Sequence, residues 1–134
     1  MKKFNNFKKR LKVLKTVDYD VTRYDEIYRR GVIWQFYITF ELAWKVLQAV
    51  LRASGVAEAE NGSPREIVKL GFRFGMIDEE KEWLNMLKDR NVSVHIYNED
   101  AIEEVIDRII ESYIPVFNKF SDTMEEKVRD IESE

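Results

Sequence analysis

Residues 24 to 53 make up thirty consecutive positions with no proline and one glycine, and their apolar side chains keep returning at spacings of three and four. That period belongs to a long helix, and Ser54-Gly55 supplies its stop. A helix of this length has to bury one side against others, so the segment commits the chain to a helical bundle before any other residue is read. At 100° per residue, Glu41, Lys45, Gln48 and Arg52 fall within about 60° of one another and form a water-facing stripe. Gln35 and Thr39 lie toward the opposite side with Trp34, Phe36, Ile38 and Leu42. They are expected to be satisfied internally or to meet a second subunit.

The remaining segments keep the same period. Phe4, Phe7, Leu11 and Leu14 mark an amphipathic helix near residues 2–17, broken by Asp18-Tyr19-Asp20. Ser63-Pro64-Arg65-Glu66 opens another, with Ser63 as cap, Pro64 at the first helical position and Glu66 closing a capping box. This helix ends near Gly75. Asp78 is expected to cap a fourth, with Glu79 and Glu80 in its first turn and Trp83, Leu84, Met86 and Leu87 behind them. Asn98 caps the last, whose apolar stripe runs from Ile102 through Ile109, Tyr113 and Phe117 to Met124. Pro115 lacks a backbone donor and should kink it. Connections are short except for residues 55–62, which favours antiparallel neighbours. The expected fold is all-α and a single domain over residues 1–134: an up-and-down four-helix bundle with one additional helix.

Composition narrows what such a bundle can do. The chain has no cysteine, which removes disulfides and thiolate metal sites and suits a reducing compartment. Its single histidine rules out a histidine-rich metal site within one chain, and neither metal nor cofactor is expected. Val32 to Leu51 is mostly apolar, but five polar residues interrupt it, so it reads as a buried helix rather than a membrane span. Charges interrupt every apolar run near the N-terminus, so no secretory signal is expected and the protein is read as soluble and cytoplasmic. The net charge of −3 is unevenly spread. Residues 1–16 carry seven bases and no acid, whereas residues 99–134 carry twelve acids against four bases. This is not the footprint of a general nucleic-acid binder. It suits solvated faces, or two ends that attract each other.

Chemically versatile side chains concentrate in DRNVSVHIYNED (89–100), which holds the only histidine. No nucleophilic triad and no glycine-rich phosphate loop can be assembled from this chain. What is left is Arg90, Asn91, His95 and Tyr97. Arginine grips a phosphate in a fork and stays charged, while histidine exchanges protons near neutral pH. Together they could cleave RNA without a metal, His95 taking the 2′-hydroxyl proton and Arg90 stabilising the charged phosphorus intermediate. Five residues on a regular helix place Arg90 and His95 about 140° apart. They converge only if the helix ends between them or if two subunits meet. Such a reaction uses both a base and an acid, which a two-fold dimer with both His95 side chains at one groove would supply. A purely structural role for a lone histidine stays open at this level, as does an edge-aromatic role for Tyr97.

Three blocks in order, GVIWQFYITFELAWKVL (31–47), SPREIVKLGFRFGMID (63–78) and WLNMLKDRNVSVHIYNED (83–100), resemble the nucleotidyltransferase substrate-binding protein family, an all-helical branch of the HEPN superfamily. The resemblance spans about residues 5–120, and RNVSVHIY fits the R-x4-H-x-Y form of HepT-type toxins. It implies a HEPN-like domain that forms a homodimer and works beside a minimal nucleotidyltransferase. It also implies a toxin–antitoxin role: a metal-independent endoribonuclease, with RNA as substrate, silenced when the partner AMPylates it. By the same likeness Arg90 and His95 would be catalytic, Asn91 supporting and Tyr97 the AMPylation acceptor. The alternative is a non-catalytic subunit that binds the nucleotidyltransferase and its substrate. Neither DNA nor a membrane is an expected partner. The family often has a second acid in the first block; here Tyr37 stands near that place and Glu41 is kept.

Overall fold

In the computed structural model, residues 1–93 and 98–134 are described, Val92 and Ser93 by backbone alone. The described residues are helical throughout, without a strand. They comprise α1 (Lys2–Lys15), α2 (Glu26–Ala53), α3 (Pro64–Arg73), α4 (Glu80–Ser93), α5 (Glu99–Arg108) and α6 (Ile114–Glu132). Short 3-10 turns at Val21–Arg23 and Ala57–Glu60 flank α2, and a π-helical turn at Ile109–Tyr113 joins α5 to α6 as one rod. The all-α bundle expected from the periodicity is the fold observed.

α2 is the central element, touched by each of the other five helices. Its inward side carries Phe36, Phe40, Ala43, Leu47 and Val50, all fully buried. Around it the large side chains form one aromatic core. Phe7 of α1 meets Phe120 of α6 edge-on at 5.5 Å, Trp83 of α4 meets Phe120 at 4.9 Å, and Phe36 stacks on Tyr113 at 5.3 Å. Offset and edge contacts of this kind add about 0.5–1.5 kcal/mol per pair to ordinary burial.

Helix ends follow local chemistry. Asp25 caps α2 through the Tyr28 amide at 2.9 Å, and Asn98 caps α5 through the Asp100 amide at 2.8 Å. Ser63 accepts from the Glu66 amide at 3.2 Å; its hydroxyl also bonds the Glu66 carboxylate, so the capping box closes on the side chain. Gly55 and Gly75 adopt positive φ after α2 and α3. There the Val56 and Met76 amides reach back to Leu51 and Gly71 at 3.0 and 2.8 Å, the Schellman pattern. Asp78 departs from its expected capping role: α4 begins at Glu80, and Asp78 and Glu79 both hold Lys119 of α6, at 3.0 and 3.1 Å.

The opposed charges of the two ends meet in space. The Met1 ammonium lies 2.9 Å from Glu132 and Lys8 lies 3.2 Å from Glu125, which ties α1 against α6. The expected kink at Pro115 takes the form of the π turn just before it. The wider turn accommodates the missing donor and the proline ring without breaking the rod.

α2 also departs from its helical-wheel reading. Lys45 and Arg52 are exposed as expected. Trp34, however, is 55% exposed and Ile27 86%, and with Gly31 and the half-buried Ile38 they line the side of α2 away from the core. Thr39 is buried and satisfied within the helix, its hydroxyl donating to the Gln35 carbonyl at 2.7 Å. The Gln35 side-chain oxygen is buried with no hydrogen-bond partner among the described residues. Among the described residues no helix is long and apolar enough to cross a membrane.

Candidate functional site

The C-terminal half of α4 presents two consecutive polar side chains in different directions. Asp89 turns inward and is 8% exposed. Burying a carboxylate this deeply is costly unless it is paired and hydrogen-bonded, and here it is both. Arg108 donates to its two oxygens at 2.8 and 2.9 Å, and the Tyr113 hydroxyl donates to it as well. These partners come from the two ends of the π turn. Five residues apart on an α-helix they would sit about 140° apart, but i→i+5 bonding brings them to the same side. Hydrogen bonding to Asp89 pushes the Arg108 guanidinium upward against its desolvation. Burial, then the Asp89 hydrogen bond, pushes the Tyr113 phenol upward.

Arg90 turns toward α2. Its guanidinium forms an ion pair with Glu41, lies over the Tyr37 ring with 5.2 Å to the centroid, and donates to Asn91 Oδ1 at 2.8 Å. Tyr37 in turn stacks on Trp34 at 5.3 Å and 6° between planes. Glu41 is itself oriented by Trp44, whose indole N–H donates to its other oxygen at 3.1 Å. The side chains of Arg90 and Glu41 are 24% and 18% exposed. The arginine is thus held by three side chains while remaining open to solvent. A fixed, delocalised cation in this setting can receive a phosphate or carboxylate with little further ordering.

Arg90 and Asn91 also line a groove of about 610 Å³ between α4 and the start of α3. Of the residues expected to act, the structure brings Arg90 and Asn91 together; His95 and Tyr97 lie outside the described residues. Their convergence with Arg90 is therefore a matter for proposal. Among the described residues no group of three or more His, Cys, Asp or Glu side chains could hold a metal ion.

Comparison with known families matches residues 2–126 to the family described as nucleotidyltransferase substrate binding protein like. The chain belongs to that family. The match covers all six helices, with α6 included as far as residue 126. A solved relative, the crystal structure of ttk003001694 from Thermus thermophilus, shares the fold at a TM-score of 0.65 and 27% identity. The alignment covers 93% of this chain and 98% of that one. No curated protein matches.

Sequence reasoning missed two site residues of this family member. Glu41 was grouped with Lys45, Gln48 and Arg52 on the water-facing stripe, and Tyr37 was noted only where an acid often stands. Both contact Arg90 from 49 and 53 positions away along the chain, a separation over which helical periodicity carries no signal. The one available hint was that both fall within the block QFYITFELAWK.

Proposed function

We propose that the protein is the HEPN-type partner of a nucleotidyltransferase: an endoribonuclease acting as a homodimer, silenced by AMPylation of Tyr97. The observation that carries this reading is the setting of Arg90. The motif arginine is oriented by Glu41, Tyr37 and Asn91, and faces a solvent-open groove. In the reaction, His95 of one protomer takes the proton from an RNA 2′-hydroxyl. The freed oxygen attacks the adjacent phosphorus while Arg90 offsets the charge building on the non-bridging oxygens. The bond to the 5′ oxygen then breaks, and that oxygen takes a proton from the second His95. The products are a 2′,3′-cyclic phosphate and a 5′-hydroxyl.

The exposed side of α2 supports the dimer. Ile27, Gly31, Trp34 and Ile38 recur at four, three and four, an apolar seam opposite the core. Trp34 stacks on the Tyr37 that carries Arg90, so a two-fold axis along this seam would bring two Arg90 side chains beside one groove. For silencing, the Tyr97 phenol oxygen attacks the α-phosphorus of ATP held by the partner. Pyrophosphate leaves, the phenolic proton is released, and a bulky anion stands two residues from His95.

A second reading, a non-catalytic subunit that binds a nucleotidyltransferase and its substrate, is favoured by the family's description. One experiment separates the two. Purified protein is expected to cut single-stranded RNA in EDTA, and His95→Ala to remove that activity. Equal cleavage by the variant, or none by unmodified wild type, would overturn the ribonuclease reading and leave the binding subunit. Incubation with the partner nucleotidyltransferase and ATP should add one AMP to the chain. Tyr97→Phe should gain none, and full modification of that variant would contradict the assignment of the acceptor.

A further inference from the structure

The groove beside Arg90 differs in charge from the other hollows described on this surface, whose walls each include acids. The chain carries 25 acids against 22 bases. Yet among the described residues lining this groove are three bases, Arg65, Lys88 and Arg90, and no acid. Arg65 opens α3 and Lys88 lies on α4, so two elements point cations into one space. Arg90 is committed to Glu41. Arg65 and Lys88 are exposed, and neither forms an ion pair among the described residues. In the hollow between the α3–α4 connection and α6 the base is neutralised instead: Lys119 there is held by Asp78 and Glu79. Unneutralised cations lining one groove favour an anion within it.

The other walls fit a nucleotide. Leu84 and Leu87 supply an apolar floor, and Asn85 offers an amide with no hydrogen-bond partner among the described residues. A volume of about 610 Å³ falls in the range of roughly 300–1,000 Å³ that ligand sites occupy.

We propose that this groove holds the backbone of a single-stranded RNA segment leading to Arg90, with Lys88 and Arg65 each meeting a phosphate and the Leu84–Leu87 floor receiving a base. The assignment rests on the ribonuclease reading, whose substrate strand it orients. Phosphate contacts carry no sequence information, so this part of the recognition is tolerant of sequence.

The test measures binding without cleavage, using a short single-stranded 2′-O-methyl RNA titrated into wild type and into the Arg65→Gln/Lys88→Gln double variant. Both residues are exposed, so the variant keeps its fold; circular dichroism checks this. Binding by the variant is expected to be about tenfold weaker, and its dependence on log salt shallower by about 1.4, two phosphate contacts at roughly 0.7 each. Lys3→Gln/Lys9→Gln, on the exposed basic face of α1, should leave both quantities near wild type. Equal loss in the α1 variant, unchanged binding in the groove variant, or binding of ATP without binding of RNA would each overturn the proposal. Because the probe cannot be cut, its result is independent of cleavage. Cleavage with unaltered groove binding sinks this inference alone, whereas groove binding without cleavage sinks the ribonuclease reading alone.

Discussion

At the scale of single residues, the motif arginine depends on a partner that no local pattern reveals. Glu41 holds Arg90 by charge and is aligned by Trp44, so Glu41→Ala takes the carboxylate away from a guanidinium that is about three-quarters covered. Removing one partner from a largely covered polar pair costs about 1–3 kcal/mol. A drop of that size in urea-unfolding free energy is expected, with a larger proportional loss in RNA cleavage than in stability. A variant as stable as wild type would show that Arg90 is held by Tyr37 and Asn91 alone. Tyr19 sets a second residue-level expectation. Burial first, and the neighbouring Tyr28 next, push its phenol up to about 12 from the ordinary 10, while its hydroxyl donates to the Leu14 carbonyl at 2.9 Å. An acid whose folded pKa is raised favours the folded state while protonated. The contribution is therefore complete below about pH 10 and lost as pH rises through about 12. Urea midpoints should fall across that window, and Tyr19→Phe should flatten the fall; a midpoint rising with pH would contradict it.

At the scale of elements, helix packing is decided where backbones come closest. A methyl group on Gly71 would lie 2.7 Å from Leu47 Cδ2, a fully buried side chain at the crossing of α2 and α3. Overpacking of that kind costs about 1–3 kcal/mol, against about 1 kcal/mol gained in helix propensity. Gly71→Ala is expected to lose up to about 2 kcal/mol in urea melts, and the double change with Leu47→Ala to cost less than the two single losses added together. Most of the elements were legible because each is written in short-range spacing. Phe4, Phe7, Leu11 and Leu14 are the buried residues of α1, and Ser63, Asn98 and Gly55 act as their types and positions indicate. What escaped was relational. Trp34 and Ile38 belong to the apolar inventory but not to the core, since periodicity finds an apolar face without saying which neighbour covers it. Asp78 is a good cap by type, and a cation on α6 claims it instead. Within the site, Arg90 and Asn91 stood out as a motif, whereas Glu41 and Tyr37 became visible only when α2 and α4 packed.

At the scale of the whole molecule, the exposed seam on α2 meets the oriented arginine through Trp34 and Tyr37, so the proposed assembly and the proposed chemistry can be tested together. Trp34→Glu introduces a charge at a position that is 55% exposed, so the monomer should lose little beyond the stack on Tyr37, about 0.5–1.5 kcal/mol of unfolding free energy. Sedimentation should then show the variant at half the mass of wild type, with RNA cleavage lost alongside. A wild-type monomer that cleaves RNA would detach the seam from the activity. The π turn has a consequence of another kind, for reading relatives by their lengths. Between Ile102 and Val128 an uninterrupted α-helix would leave the apolar stripe about 80° out of phase, and one extra residue nearly restores it. That residue is what the turn at Ile109–Tyr113 absorbs. A homologue with a plain α-helix there should be one position shorter between its counterparts of Arg108 and Pro115. Its arginine and tyrosine would then stand four residues apart, about 40° around the helix, and both could still reach the carboxylate at 89. A single-residue gap in an alignment would then mark which members of the family hold that carboxylate from a plain α-helix and which from a wide turn.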